Sequence, residues 1–506
     1  MGQIKGLLVV ITLGILSACG GGVGSGANDP GSGARVASIS GTVTFKGNPL
    51  SGVTIYALLT NNSTVVQTTT TDANGNYTLS NLLAGGNVPT EYQFWAIKTG
   101  YGFYPSPSSG ATVMRGPMNG QFAGLNTGNP PIVFAVLDWV PAVYSSLSGA
   151  NFTAYNGSNP LVSISATGQT TSYVAGDDGA LRKGTAWPAT RFTANGDGTV
   201  TDNLTGLTWL QNAGCFSPVT WPNAVAAVNQ LASGQCGLTD GSVAGTWRLP
   251  NLIELESLVD VSASNPPLTP GNHFSNVSTG IYWTSTAYYG GEAGSTYAWT
   301  IRFSDGEYVN DGSSNVMATS QNAVWAVKGA TGGTVKLQAT GFNVPYVSGD
   351  DGTLQKGVGL PYPRWLDNGN GTVTDIMTGL TWLRQANCIN QSWTAAVAAV
   401  NNLASGQCGL SDGSVAGQWR MPNRNEMQSM ADRLQANEGA YFDYTILNLD
   451  NTVYQPPIFT NFVEGQYYWT STTDAANTND AWTVFSCDFG VYPQSQGNTG
   501  YTLAVR

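Results

Sequence analysis

The chain has 506 residues, room for about three domains at ~150 residues each. Only 10% of residues are charged, and a net charge of -11 without a basic stripe argues against a nucleic-acid partner. The single histidine, His273, rules out a multi-histidine zinc site and leaves a Ser-His-Asp triad one place to be. From the start of the chain, Lys5 precedes a short apolar run, Leu7 to Leu16, which ends in Leu16-Ser17-Ala18-Cys19. The run is too short for a permanent membrane span and has the shape of a signal-peptide core. Residues 19–35 are then Gly/Ser-rich with no hydrophobic period, a flexible tether.

The Leu-Ser-Ala-Cys ending resembles the bacterial lipobox. That resemblance implies cleavage after residue 18, acylation of Cys19, and stable anchoring through several acyl chains. With Gly20 rather than Asp after the cysteine, it further implies an outer-membrane address and surface display.

Residues 36–140 read as an all-β sandwich. Ser40-Gly41-Thr42-Val43-Thr44-Phe45 alternates like a strand, Gly47 to Gly52 turns, and Val53-Thr54-Ile55-Tyr56 pairs back. Asp72-Ala73-Asn74-Gly75-Asn76-Tyr77 makes another turn and strand, and Ile132 to Val136 supplies the last strand. The Gly-x-Val, Gly-Val-x-Ile and Asp-x-Asn-Gly-x-Tyr pattern resembles carboxypeptidase-regulatory-like and Cna-B-like sandwiches, which implies a spacer.

The remainder is a duplication. Thr205-Gly206-Leu207-Thr208-Trp209-Leu210 returns as Thr378-Gly379-Leu380-Thr381-Trp382-Leu383, and Trp247-Arg248-Leu249-Pro250-Asn251 returns as Trp419-Arg420-Met421-Pro422-Asn423. Tyr282 to Thr286 returns as Tyr468 to Thr472. The copies run over 161–329 and 335–506, each α+β. In the first, Asn195-Gly196-Asp197-Gly198 makes a hairpin. A helix follows, with Trp221, Ala224, Val225, Val228 and Leu231 on one stripe. Asn251 and Glu254 then have capping-box spacing, as do Asn423 and Glu426.

Cys215 and Cys236 bracket the first helix, as Cys388 and Cys408 do in the second copy. In an oxidising compartment these pairs read as disulfides, because two thiols without histidine make a poor zinc site. Cys487, which aligns with Ser304, is left over as a buried thiol.

Phe192-x-x-Asn-Gly-Asp-Gly-Thr-Val-Thr-Asp, Thr-Gly-Leu-Thr-Trp, Trp-Arg-Leu-Pro-Asn and Tyr-Trp-Thr-Ser-Thr together resemble the Lcl C-terminal domain family. Gly176-Asp177-Asp178-Gly179, repeated as Gly349-Asp350-Asp351-Gly352, fits it too. The order of elements is also similar to C-type lectin-like and formylglycine-generating-enzyme-like domains. The resemblance implies surface exposure and binding of an extracellular glycan or protein, as in adhesins. The sulfated glycans recognised by the founding adhesin need clustered cations, and this acidic chain keeps few.

Candidate ligand-binding residues are Trp209, Trp283 and Trp299 with their repeats Trp382, Trp469 and Trp482, together with Arg248 and Arg420. An exposed Trp face suits a pyranose ring, while the same residues would serve a core. The loops at Asp177/Asp178 and Asp350/Asp351 could hold Ca²⁺, although turn chemistry accounts for them equally. Glu254 and Asp260, repeated as Glu426 and Asp432, could be a glycosidase carboxylate pair, with capping the competing role for the Glu.

The expected function is therefore a non-enzymatic, lipid-anchored surface protein that binds an extracellular glycan or protein without a cofactor, save Ca²⁺ if the loops hold one. A structural envelope component engaging a partner protein is the second reading, and a carbohydrate-active hydrolase a remote third.

Overall fold

The computed structural model describes residues 35–59, 65–84, 90–106, 112–114, 132–137, 146–148, 151–155, 160–288, 296–309, 315–329, 333–361, 364–433 and 458–506. The signal run, Cys19 and most of the tether lie outside the described residues.

The N-terminal module is a β-sandwich. In one sheet, strand Arg35–Phe45 pairs antiparallel with Asn76–Ala84 and parallel with Ser146–Ser148 and Asn151–Tyr155. In the other, Thr54–Leu59 lies between Val65–Thr70 and Thr90–Ile97, and the sheet continues through Ile132–Leu137 to Thr112–Met114. Alternate residues point inward, as a pleated strand requires: Ile39, Val43, Val53, Ile55, Ala57, Leu79, Phe94 and Phe152 make the core. In the Asp-x-Asn-Gly-x-Tyr turn, the Asp72 carboxylate accepts from the amides of Asn74 and Asn76, both at 2.8 Å. Gly75 sits at φ +71°, where a Cβ would lie 2.5 Å from the Val43 carbonyl oxygen. The sequence placed the end of this module near residue 140. The two strands at 146–155 extend it, because they pair with its first strand.

Six helices are formed among the described residues: α1 (Asp178–Leu181), α2 (Trp221–Asn229), α3 (Leu252–Glu256), α4 (Asp351–Leu354), α5 (Trp393–Asn401) and α6 (Arg424–Ser429). The last three repeat the first three. Each copy opens its body with a three-stranded meander, Phe192–Ala194, Thr199–Asp202 and Thr208–Leu210 in the first, Trp365–Asp367, Thr372–Asp375 and Thr381–Leu383 in the second. The Thr-Asp-x-x-Thr-Gly turn is held by its own aspartate. Asp202 accepts from the Leu204 amide and the Thr205 hydroxyl, as Asp375 does from Met377 and Thr378. A second sheet is built on Ile281–Tyr288 in the first copy and on Tyr467–Thr473 in the second.

The helical stripes bury as their period requires: Trp221, Ala224, Val225 and Val228 in α2, and Trp393, Ala396, Val397 and Val400 in α5. Each stripe begins with an indole that also satisfies its N–H, Trp221 to the Thr284 carbonyl at 2.7 Å and Trp393 to that of Thr470 at 2.8 Å. The disulfides Cys215–Cys236 and Cys388–Cys408 close the segments holding these helices, with Cα atoms 5.6 Å apart in each. Cys487 is half-buried and belongs to neither.

The copies do not pack as sequential units. Residues 161–187, read as the opening of the first copy, lie largely on the second. The amides of Leu161 and Val162 donate to Met377, Gln169 exchanges hydrogen bonds with the backbone of Thr473, and Asn423 donates to the Lys183 carbonyl. Residues 333–358 do the reverse. Val335 donates to Leu204, Asn251 donates to the Lys356 carbonyl, and Val335, Leu337 and Phe342 join the core of the first copy. The lead-in arms are thus exchanged about a pseudo-twofold axis. The packed bodies begin near Arg191 and Arg364, and the boundaries at 161 and 335 mark where each arm sets out across to its neighbour.

Replacing Cys388 and Cys408 together by Ser is expected to lower stability by about 3 kcal/mol, the chain-entropy value for a loop of this size. Urea denaturation of the oxidised parent and the variant measures it.

Candidate ligand cleft between the copies

All ten paired tryptophans, including the six singled out as sugar platforms, are at most 1% exposed. Trp209, Trp283, Trp299, Trp382, Trp469 and Trp482 are therefore core, since an indole without a solvent face cannot stack a pyranose. Five such rings per copy are what closes these small bodies, at ~150–250 Å² of burial each.

The candidate arginines are turned inward as well. Arg248 makes a bidentate pair with Glu254 at 2.5 Å, and Arg420 makes the same pair with Glu426 at 2.6 Å. Each glutamate also accepts from the N-cap amide, and Asn251 and Asn423 answer with their side chains, so both capping boxes are complete. The arginine thus fixes the helix cap rather than awaiting a ligand. Asp260, offered as the second carboxylate of a hydrolytic pair, spends Oδ1 on the amide and hydroxyl of Ser262.

The acidic loops prove to be arm anchors. Asp177 caps α1, accepting from Tyr173 and Val174 on one oxygen and from Ala180 on the other; Asp350 does the same for α4 from Tyr346, Val347 and Thr353. Those oxygens accept from backbone amides, as turn chemistry requires. The next residue in each loop makes the joint. Oδ2 of Asp178 accepts from the hydroxyl of Thr167 in its own arm at 2.6 Å and from Thr472 of the opposite copy at 2.7 Å. Asp351 accepts from Thr340 at 2.6 Å and from Thr286 at 2.8 Å. Thr472 and Thr286 in turn accept from Arg424 and Leu252, the first amides of α6 and α3. Each arm is therefore hydrogen-bonded through a threonine to a helix N-terminus of the other copy. Oδ1 of both aspartates is buried with no partner. Burial pushes the carboxyls up, Asp178 to about 6 and Asp351 to about 7.

Behind the joints the pairing breaks symmetry. Arg424 and Arg433 of the second copy occupy the places of Leu252 and Val261 in the first, and both are fully buried. Arg424 stacks over Trp482 and donates to the Gly306 carbonyl at 2.5 Å, with Glu256 of the first copy 3.7 Å away. Arg433 stacks over Trp299 of the first copy and donates to Gln428, which stands where that copy has Glu256. Burial raises the Glu256 pKa, and the Arg424 charge is the largest influence opposing that rise.

An open cleft lies across the pseudo-twofold axis. Its walls are the two arm segments, 162–166 and 335–338; α3 and its C-terminal flank contribute Ile253, Glu256, Ser257 and Val259, and α6 contributes Asn425, Gln428 and Ser429. Asn425 crosses the axis to the carbonyls of Ser165 and Ala166. At one end stands Trp187, half-buried, its N–H donated to the Ala166 carbonyl and the Arg191 guanidinium 4.1 Å from its ring. Lys336 is exposed on the opposite arm. Trp187 escaped notice in the sequence because the second copy has Leu360 in its place. Trp325 and Trp365 also lack a Trp counterpart and are buried, so no signal in the sequence singled Trp187 out.

A family model described as the Lcl C-terminal domain matches residues 198–328 and 371–506, about half of the chain. The chain belongs to the Lcl C-terminal domain family. A carboxypeptidase regulatory-like domain model matches residues 38–96, and no curated protein matches the sequence. This pairing of domains points to a surface or cell-envelope protein. Both Lcl matches begin after the arms, so the arm walls of the cleft and the aspartates of the joints fall outside the matched spans.

Arg424→Met is expected to destabilise the tandem by about 3 kcal/mol, because it strips a buried carboxylate of its nearest cation. Adding Glu256→Gln should recover much of that loss in urea denaturation. Equal and additive losses would show that the two residues do not interact.

Proposed function

We propose that the chain is a non-enzymatic, adhesin-like surface lipoprotein, anchored through Cys19 to the outer membrane, whose Lcl tandem binds an extracellular glycan in the cleft between the copies. The observation that supports this most is the cleft itself. It is shared by both copies, and it holds Trp187, a tryptophan that keeps part of its ring open to solvent. Ser163, Ser165, Asn425 and Lys336 line the same cleft with hydroxyl, amide and ammonium groups, the mixture that suits a sugar with an apolar face and a polar rim. The N-terminal sandwich serves as the spacer between anchor and tandem.

Binding without turnover agrees with the state of the acids once considered for hydrolysis. Glu254 and Glu426 are each locked by an arginine and a backbone amide, and neither lines the cleft. Glu256 does line it, but its charge is opposed to Arg424 in the interior.

A glycan array probed with the full chain should give binding that persists after chelation and falls about tenfold in Trp187→Ala, while Trp187→Phe keeps most of it. An empty array beside a stably co-purifying envelope protein would move the assignment to a structural role. Release of sugar from any bound glycan would overturn the non-enzymatic reading.

A further inference from the structure

The two arms that wall the cleft are each fastened by one buried carboxylate, and both fastenings share an anomaly. Two hydroxyls, one from each copy, converge on a single oxygen of Asp178 or Asp351, and the second oxygen has nothing to accept from. An ionised carboxylate sealed in this way leaves a charged oxygen without a donor, which is costly. A carboxylic acid costs less there, since its unpartnered hydroxyl bears no charge and its other oxygen still accepts from the two threonines. We propose that Asp178 and Asp351 are a pair of proton-operated latches: with the proton on, each arm is held against the opposite copy, and with it off both walls of the cleft loosen. This rests on reading the cleft as the binding site and adds its regulation.

The charged surroundings favour the proton. Asp178 faces the acidic Asp177 of its own arm and Glu426 of α6, while its contact on strand Tyr467–Thr473 is the uncharged Thr472. Asp351 faces Glu254 of α3, opposed by the neighbouring Arg248, and its contact on strand Ile281–Tyr288 is the uncharged Thr286. Coupling to the cleft is short. Thr167 follows wall segment 162–166 directly, and Thr340 stands two residues beyond 335–338, so the hydroxyls that bind the aspartates belong to the walls themselves.

The sign follows from the raised carboxyls. Below pH ~4 the seated and the released arm are both protonated and the seat is at full strength. As pH rises through about 6 for Asp178 and about 7 for Asp351, the seated acid must ionise with its Oδ1 left without a donor, and that strength is lost. Between pH 8 and pH 5 the opening equilibrium should therefore fall about tenfold for the first arm and about a hundredfold for the second, at a factor of ten per unit of pKa displacement.

Hydrogen exchange of peptides from 161–187 and 335–358 in the full chain, corrected for intrinsic amide chemistry, reads this directly. Protection of both arms should rise on acidification in the unsubstituted chain. In Asp178→Asn with Asp351→Asn, whose amides mimic the neutral acid in shape, protection at pH 8 should match that at pH 5. All other ionisable groups remain in both proteins, so their contribution cancels from the difference. Arms equally protected at both pH values in the unsubstituted chain would overturn the latch without recourse to any variant. So would Asn variants that keep the full pH response. Neither readout uses a ligand, so failure here leaves the glycan assignment standing, and an empty array leaves the latches measurable.

Discussion

What makes one body of two sequence repeats is a hydrogen bond between a buried threonine hydroxyl and a buried aspartate that comes from the other copy. Each partner is fixed before they meet. The threonine is held by the first amide of a capped helix, and the aspartate follows a residue that caps its own turn of helix. The helix cap is in turn fixed by the Arg248–Glu254 or Arg420–Glu426 pair. A chain of polar contacts thus runs from an arginine, through a capping box and a hydroxyl, to the arm of the neighbouring copy. In a low-dielectric interior such a chain is stable only when nearly complete. Its single gap, the unpartnered oxygen of each aspartate, is accordingly where chemistry is most easily changed.

Exchange of arms would let two identical copies pair in any combination, and the residues behind the joints decide against that. Arg424 and Arg433 lie in one copy only, and Glu256 in the other. Two second copies facing each other would bury four guanidinium groups with no carboxylate at the Glu256 position, and two first copies would bury two carboxylates with no guanidinium. Either costs several kcal/mol per unmatched charge. Duplication gave the symmetry, and a handful of substitutions on the axis made the pairing specific. The same break in symmetry is visible in the core, where Trp482 and Val491 of the second copy pack with the residues of the first.

The parts of this fold that could be read from the sequence are those governed by neighbours along the chain. Asn251 and Glu254 are three residues apart, Asp202 and Thr205 likewise, and α2 buries residues at helical spacing; each pattern carries its own geometry. Family resemblance named the sandwich and the repeat for the same reason, because its motifs are turns and caps. The arms were not legible. Nothing local in Gly-Asp-Asp-Gly says which of two near-identical bodies it will land on, and proximity in sequence favours the wrong one. The candidate site failed through a related ambiguity. Repetition of a tryptophan reports that both copies need it, and what both copies need is a core. The tryptophan left half-buried, at one end of the cleft, is Trp187, which has no Trp in its place in the second copy.

The scarcity of charge acquires a physical meaning once burial is known. In a chain with 19 basic residues, Arg191, Arg248, Arg364, Arg424 and Arg433 are all buried, and Lys328 and Arg506 reach back to Asp240 and Asp412. Guanidinium groups are spent stacking on indoles and closing polar chains, a use that suits their weak hydration and planar shape. The surface is left acidic and poor in cations, with Lys336 the one lysine among the residues that line the cleft. A polysulfated chain needs several cations in a row to displace its counterions, and this face does not present them. If the tandem holds a glycan, the same arginines that lock its interior select against an anionic one and in favour of a neutral sugar laid along the Trp187 ring.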